Sequence, residues 1–197
     1  MRGHPQLDDL GPALPRDRWT LVDAVRTQAS VYGHRDFLSF EDGSSLSFCD
    51  FDRLTDCLAT ALSDLGLDAG ERLLALLTNS REFMLMMIAT HKLRAVFVPI
   101  NTELRGGFLE HQVHNSSPRV IVADDGLIER FGDVDTSKVE IETVIRVTEG
   151  TSTGSALPDS LAGMRHLHVD ELLHTVPRPE VLAMPDPSDV CTIMYTS

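Results

Sequence analysis

Two hydroxyl side chains follow directly on a short apolar run at the end of the chain, Asp189-Val190-Cys191-Thr192-Ile193-Met194-Tyr195-Thr196-Ser197. Val190 to Tyr195 reads as a buried strand. A strand ending in small hydroxyl residues can deliver them onto phosphate oxygens, together with the N–H groups of the loop that follows. Three letters alone read as an ordinary strand end. Their context raises them: an Asp-led strand, after a Pro-rich connector, after several strand–helix units. Thr196 and Ser197 are therefore the candidate cofactor-binding residues.

Other residue types invite other chemistry and fall short of it. His111 and His114 lie three apart on a helix beside Glu110, and His166 and His168 share one face of a short strand. Neither pair has a convincing third ligand or an H-E-x-x-H spacing, so no metal site is assigned. Met84, Met86 and Met87 stand among Phe83, Leu85 and Ile88. That cluster fits a helix buried on most sides better than a Met-lined binding face. Cys49, Cys57 and Cys191 are an odd set without metal-ligand spacing. Cys49 and Cys57 fall in one helix, too far apart to bridge. All three read as reduced core or near-core thiols of a cytosolic protein. No complete G-x-G-x-x-G or C-x-x-C is present, and no residue within the chain is assigned a catalytic role.

The elements that must position the terminal hydroxyls are legible in order. Residues 1–18, with prolines at 5, 12 and 15, read as an irregular arm. A helix is expected from Trp19 onward, capped by Thr20 with Asp23 three residues later. Phe37 to Glu41 and Ser45 to Phe48 read as a hairpin turning at Asp42-Gly43. Ser47 and Asp50 open a second helix that carries Phe51, Leu54, Leu58, Ala61, Leu62 and Leu65, with Gly66 as its stop. Then strands alternate with helices. Arg72 to Leu77 is a strand; Asn79 with Glu82 caps a helix to about Leu93; Val96 to Ile100 is a strand; Phe108 to His114 is a helix. Val120 to Ala123 is a strand, Leu127 to Phe131 a short helix, and Val144 to Val147 a strand. This alternation predicts an α/β fold, a doubly wound, mostly parallel sheet flanked by helices and preceded by a helix and a short hairpin. Residues 148–163 read as a surface loop. A short strand and helix follow around His166 to His174, and 177–188 is a Pro-rich connector.

The bulk numbers agree with a globular chain. The 197 residues are 42% hydrophobic and 24% charged, with a net charge of −13. Such a charge argues against nucleic acid or an anionic membrane as the main partner, while leaving room for a nucleotide held by local N–H donors. No secretory signal is evident, and Phe83 to Ala89, the most apolar stretch, is far short of a bilayer span. A cytoplasmic location is expected, with peripheral membrane contact left open, and the sequence does not set an oligomeric state.

A series of landmarks runs through the chain: Leu46-Ser47-Phe48, Ala61 to Leu67, Gly70-Glu71-Arg72-Leu73, Asn79-Ser80-Arg81-Glu82-Phe83, Val98-Pro99-Ile100-Asn101 and Val120 to Asp124. In order and spacing it resembles the acyl-CoA synthetases of the adenylate-forming superfamily, with their L-T-Y, A-x-x-L-x-x-L-G-V, G-D-R-V, L-x-N-S-x-E-F and V-P-L-N. The resemblance runs from Trp19 to the end, weakest between Asp133 and Pro179. Tyr195-Thr196-Ser197 looks like the opening of that superfamily's phosphate-binding loop, which continues Gly-Thr-Thr-Gly-x-Pro-Lys-Gly. Thr102-Glu103-Leu104-Arg105-Gly106 is similar to the carnitine-CoA and fatty-acyl-CoA ligase branches.

The resemblance implies that residues 19–197 are an incomplete part of a large N-terminal, AMP-binding domain. It implies an ATP-dependent acid–thiol ligase that makes an acyl-adenylate and transfers the acyl group to coenzyme A, with ATP, Mg²⁺ and coenzyme A as cofactors. A small carboxylic acid would be the substrate. The loop lysine and the other catalytic groups of the family lie beyond Ser197, so the 1–197 chain alone is expected to be inactive. Two alternatives stand beside this reading. One is a non-catalytic α/β binding or interaction module; the other is an adenylation domain or luciferase-like member of the same superfamily. One departure is visible: Arg94 stands where the family usually has glycine. At a helix stop that requires left-handed backbone, arginine costs on the order of 1 kcal/mol.

Overall fold

Side-chain caps set where the helices begin. In the computed structural model, which describes residues 15–41, 43–148 and 156–196, the Thr20 hydroxyl accepts from the Asp23 amide at 3.0 Å and donates to its carboxylate at 2.9 Å. Helix α1 therefore starts at Leu21 and runs Leu21–Tyr32, leaving Trp19 outside it and 65% exposed. Of the expected arm, Arg16–Arg18 forms a 3-10 turn, and Arg18 pairs with Asp23 at 2.7 Å. Residues 1–14 lie outside the described residues. Strands β1 (Asp36–Ser39) and β2 (Ser45–Ser47) pair antiparallel as expected. The turn between them includes Asp42, which is outside the described residues, and Gly43 at φ +84°.

Ser47 caps α2 (Phe48–Asp64), accepting from the Asp50 amide at 3.1 Å. Gly66 ends this helix at φ +83°, its amide bonded to Ser63 and that of Leu67 to Leu62. This is the Schellman pattern in which the residue after the cap must turn left-handed. Helix α3 (Arg81–Lys92) corrects one expectation. Its cap is Ser80, whose hydroxyl accepts from Phe83 N at 3.2 Å, rather than Asn79. Both residues are good caps, and the shift of one position leaves the Asn79 side chain elsewhere.

The α3 stop repeats the α2 pattern with a different residue. Arg94 N bonds to the His91 carbonyl at 2.9 Å and Ala95 N to that of Thr90 at 3.2 Å. Arg94 takes φ +58°, the left-handed conformation expected of this position.

The strands β3 (Arg72–Leu76), β4 (Val96–Pro99), β5 (Val120–Asp124), β6 (Thr143–Val147) and β7 (Arg165–His168) form one parallel sheet in the order β4-β3-β5-β6-β7. Their side chains alternate between two cores, as the pleat requires. Leu73, Ala75, Leu77, Phe97, Val120, Val122, Ile145 and Val147 face α2 and α3. Leu74, Leu76, Val96, Val98, Ile121, Ala123 and Val144 face α4 (Gly106–Ser116) and the 3-10 helix Ile128–Asp133. Both faces are covered, so the strands read as continuous apolar runs. Helix α4 is longer than its apolar stretch suggests, and the short helix expected over Leu127 to Phe131 is the 3-10 helix Ile128–Asp133 rather than an α-helix. In the expected loop 148–163, Asp159–Leu161 is a 3-10 turn with Leu161 buried, while 149–155 lie outside the described residues. Helix α5 (Val169–Leu173) follows β7, and the connector 177–188 contains the 3-10 turn Pro179–Val181.

The terminal run is the main correction. Residues 190–195 do not form a buried strand. They lie extended along the free edge of β4, joined by one parallel bridge between Thr192 and Phe97. Val190 and Met194 are 64% and 73% exposed. Cys191, expected near the core, is exposed, whereas Cys57 is buried and Cys49 half-buried. The apolar residues are those of a core strand, but only one of its sides is packed among the described residues.

Candidate functional site

Chain order fixes where a ligand can sit. From β3 the chain passes through α3 to β4, then returns through α4 past β3 to β5. The two crossovers cover opposite faces, so the connections part at the carboxyl ends of β3 and β4. In open α/β sheets that divergence creates the binding crevice.

A cavity of about 420 Å³ lies at this end, lined by Leu77, Thr78, Asn79, Phe83, Pro99, Ile100, Asn101 and Thr102. Its floor is built from the ends of β3 and β4. Phe83 stands edge-on to Phe97, with ring centroids 5.3 Å apart. The Ile100 amide donates to the Ala75 carbonyl at 2.9 Å and holds the β4 end against β3. Asn101 shapes the next turn: its side-chain oxygen accepts from Glu103 N at 2.9 Å. Beside the cavity the Thr78 amide donates to Asp124 Oδ2 at 2.7 Å. Asp124 is 8% exposed, and its other oxygen is buried without a partner among the described residues.

The next strand ends carry a polar chain. Asp125 accepts from Arg146 Nε at 2.5 Å and from the Thr148 hydroxyl at 2.7 Å. That hydroxyl also lies 2.7 Å from His168 Nε2. Because Thr148 donates its one proton to Asp125, the histidine Nε2 must donate to Thr148. The chain of bonds ties the carboxyl ends of β5, β6 and β7 together.

The terminal segment approaches from the outer edge of β4. Phe97 N donates to the Cys191 carbonyl at 2.9 Å, and Ile193 N donates to the Phe97 carbonyl at 3.0 Å. Side chains alternate along it. Thr192 meets His91 of α3, Oγ1 to Nε2 at 3.3 Å, while Ile193 and Tyr195 pack on the α4 side. The Tyr195 hydroxyl donates to Asn115 Oδ1 at 2.8 Å. Burial raises the Tyr195 hydroxyl above its ordinary pKa, with a smaller opposing effect from Ser116. Burial likewise lowers His91, opposed by the Cys191 carbonyl.

With Phe97 opposite Thr192 in parallel register, Pro99 is level with Met194, and Thr196 runs past the carboxyl end of β4. Thr196 is exposed, and Ser197 lies outside the described residues. The edge therefore directs Thr196 toward the end of the sheet that holds the cavity.

The histidine pairs are not brought together as ligand sets. His114 Nε2 lies 2.6 Å from the Asp135 carbonyl, and His166 Nε2 lies 3.0 Å from that of Leu161. Among the described residues no three His, Cys, Asp or Glu side chains are gathered to hold a metal ion, and no helix is long and apolar enough to cross a membrane. From the sequence Asn79 reads as a cap and Asn101 as a landmark, and Thr78 carries no assigned role. The usable signal was position: each follows an apolar strand at its carboxyl end.

The family model described as AMP-binding enzyme matches residues 25–197. The chain is 29% identical over 115 residues to the 2-succinylbenzoate–CoA ligase of Oceanobacillus iheyensis, covering 58% of this chain and 24% of that protein. It is 27% identical over 126 residues to the medium/long-chain-fatty-acid–CoA ligase FadD6 of Mycobacterium tuberculosis, covering 64% and 21%. The chain spans less than a quarter of the length of these relatives in the matched regions. Among solved structures, the anthranilate CoA ligase AuaEII in complex with anthranoyl-AMP superposes with a TM-score of 0.78 at 21% identity, over 93% of this chain and 33% of that one. The long-chain-fatty-acid-CoA ligase FadD1 from Archaeoglobus fulgidus gives 0.72 at 23%, over 94% and 36%.

Proposed function

The chain belongs to the AMP-binding enzyme family, and from that premise we propose that it is the N-terminal portion of an ATP-dependent acyl-CoA ligase. In the proposed reaction a carboxylate oxygen attacks the α-phosphorus of ATP. The bond to pyrophosphate breaks, and an acyl-adenylate forms. The thiolate of coenzyme A then attacks the acyl carbonyl, and AMP leaves. Charge developing on the departing pyrophosphate must be met by preorganised donors. Thr196 and Ser197 open the loop that supplies them. Mg²⁺ is proposed to accompany ATP, and no step is assigned to it.

The observation that carries this reading is the parallel docking of 191–193 on the β4 edge, which sends Thr196 toward the cavity end of the sheet. Its support from relatives is that both curated matches act as CoA ligases by name, one on 2-succinylbenzoate and one on medium- or long-chain fatty acids. The proposed loop continues with Gly, then Ser or Thr, then Thr-Gly-x-Pro-Lys-Gly. Its glycines would let backbone N–H groups close on phosphate, and its lysine would add a mobile positive charge. The 1–197 chain alone is proposed to be inactive.

The test is carboxylate-dependent exchange of pyrophosphate into ATP. The polypeptide of the uninterrupted reading frame should show it with an aliphatic, carnitine-like or aryl acid, and residues 1–197 alone should not. Exchange by 1–197 would overturn the placement of the essential groups beyond Ser197.

A further inference from the structure

The α3 stop carries a residue that its backbone does not favour. Arg94 holds φ +58°, where glycine is at ease and arginine is strained. Strain of this kind persists where surrounding contacts over-determine it. The contacts are present here. Arg94 Nε donates to Asp189 Oδ2 and its terminal nitrogen donates to Asp189 Oδ1, each at 2.8 Å, a two-pronged grip. Asp189 is itself set by a local turn: its Oδ2 accepts from Asp186 N at 2.8 Å, and its amide donates to the Asp186 carbonyl at 2.9 Å. Asp186 is held in turn by Ser188, whose amide and hydroxyl both donate to its Oδ1.

Two residues beyond Asp189 the chain makes its first bond to the sheet, Phe97 N to the Cys191 carbonyl. Three residues before Arg94, His91 meets Thr192. The last turn of α3 and the residue that stops it thus touch the terminal segment on both sides of its first sheet bond. A one-residue slip would break both contacts and reverse which side chains face α3 and α4.

We propose that Arg94 and Asp189 form a register clamp that fixes residues 191–195 on the β4 edge and so sets where Thr196 emerges. Arg94 is a positioning residue that acts through Asp189. A glycine at 94 would relax the turn and leave the segment without this grip. An isolated exposed ion pair has little effect on stability, so the clamp acts on register rather than on overall stability. Its bearing on ATP rests on the ligase reading above.

The test uses the intact polypeptide with Arg94→Gly, Asp189→Asn and the double variant. Hydrogen exchange is followed in peptides covering residues 95–99 and 190–195, with residues 73–76 of the central strand as reference. Each single change is expected to speed exchange at the Phe97 and Ile193 amides by about tenfold, with the reference unchanged. The double variant is expected to match the larger single effect, because both remove one interaction. In parallel, kcat/KM for ATP should fall about tenfold while the unfolding midpoint moves little. Unchanged exchange at both amides, or independent effects that multiply in the double variant, would overturn the clamp. If the wild-type polypeptide forms no AMP with any acid, the ligase reading fails and the exchange arm still decides the clamp.

Discussion

Lys92 of α3 and Asp52 of α2 meet at 2.6 Å across the helix seam, with none of the lysine side chain exposed. The same ammonium donates to Asp56 at 2.6 Å and to the Asp52 carbonyl at 2.9 Å. All three of its protons are therefore used, and the buried charge is offset by two carboxylates that still reach water. Removing one partner of a buried pair leaves the other uncompensated. Lys92→Met is expected to destabilise the fold by about 3 kcal/mol, near the lower end for such a loss because the carboxylates are partly solvated. Adding Asp52→Asn and Asp56→Asn should recover part of the loss. Urea unfolding measures both, and a cost for Lys92→Met below about 1 kcal/mol would contradict the role given to the pair.

Arg94 is pulled two ways, and the balance can be measured. Glycine at this position relieves the left-handed backbone but removes the fork on Asp189. Arg94→Gly should therefore leave the unfolding midpoint nearly unchanged in the wild-type background and raise it slightly in Asp189→Asn, where the fork is already weakened. Equal shifts in the two backgrounds would show that the side chain contributes nothing.

His91 gives a pH dependence whose sign follows from burial. Its folded pKa is lowered from the ordinary 6.5, chiefly by desolvation. Below pH 6.5 the unfolded chain takes up a proton that the folded chain refuses, so stability falls as pH drops toward the folded pKa and then levels. Above pH 6.5 the residue adds no pH dependence. His91→Gln keeps a donor for Thr192 without titrating there. The difference in unfolding free energy between wild type and variant should be flat above pH 7 and should shift against the wild type between pH 6.5 and 5. A difference that is flat throughout would contradict the burial argument.

Val190 and Met194 present apolar surface on a sheet edge. Such an edge is a template for pairing. The 1–197 chain is expected to self-associate with rising concentration, and Val190→Lys with Met194→Lys to reduce this. Sedimentation velocity checks it, and a monomer over the full concentration range would contradict it.

The parallel sheet was legible because buried strands carry apolar residues on both faces, as at Leu73 to Leu76 and Val120 to Ala123. Two of the left-handed helix stops were legible, one from Gly66 and one from the departure at Arg94. The α3 cap was missed by one residue because Asn79 and Ser80 are both competent and only the packing of the loop chooses between them. The terminal segment was misread because apolar content measures what a residue prefers, and cover depends on neighbours elsewhere in space. Lys92 and Ser117 carried no signal either: one is buried only because two acids on α2 face it, and the other is left-handed at φ +44° without being glycine. At the site, the strand ends were legible, while the grouping of Thr78, Asn79 and Asn101 needed the strand order.

The ligase activity proposed for the intact protein is activation of a carboxylic acid with ATP and its transfer to coenzyme A. The most direct measurement is product analysis for the intact polypeptide supplied with ATP, Mg²⁺, coenzyme A and a panel of aliphatic, carnitine-like and aryl acids. AMP and pyrophosphate are expected in equal amounts with an acyl-CoA thioester, formed only when an acid is present. ADP as the nucleotide product, or no AMP with any acid in the panel, would contradict it.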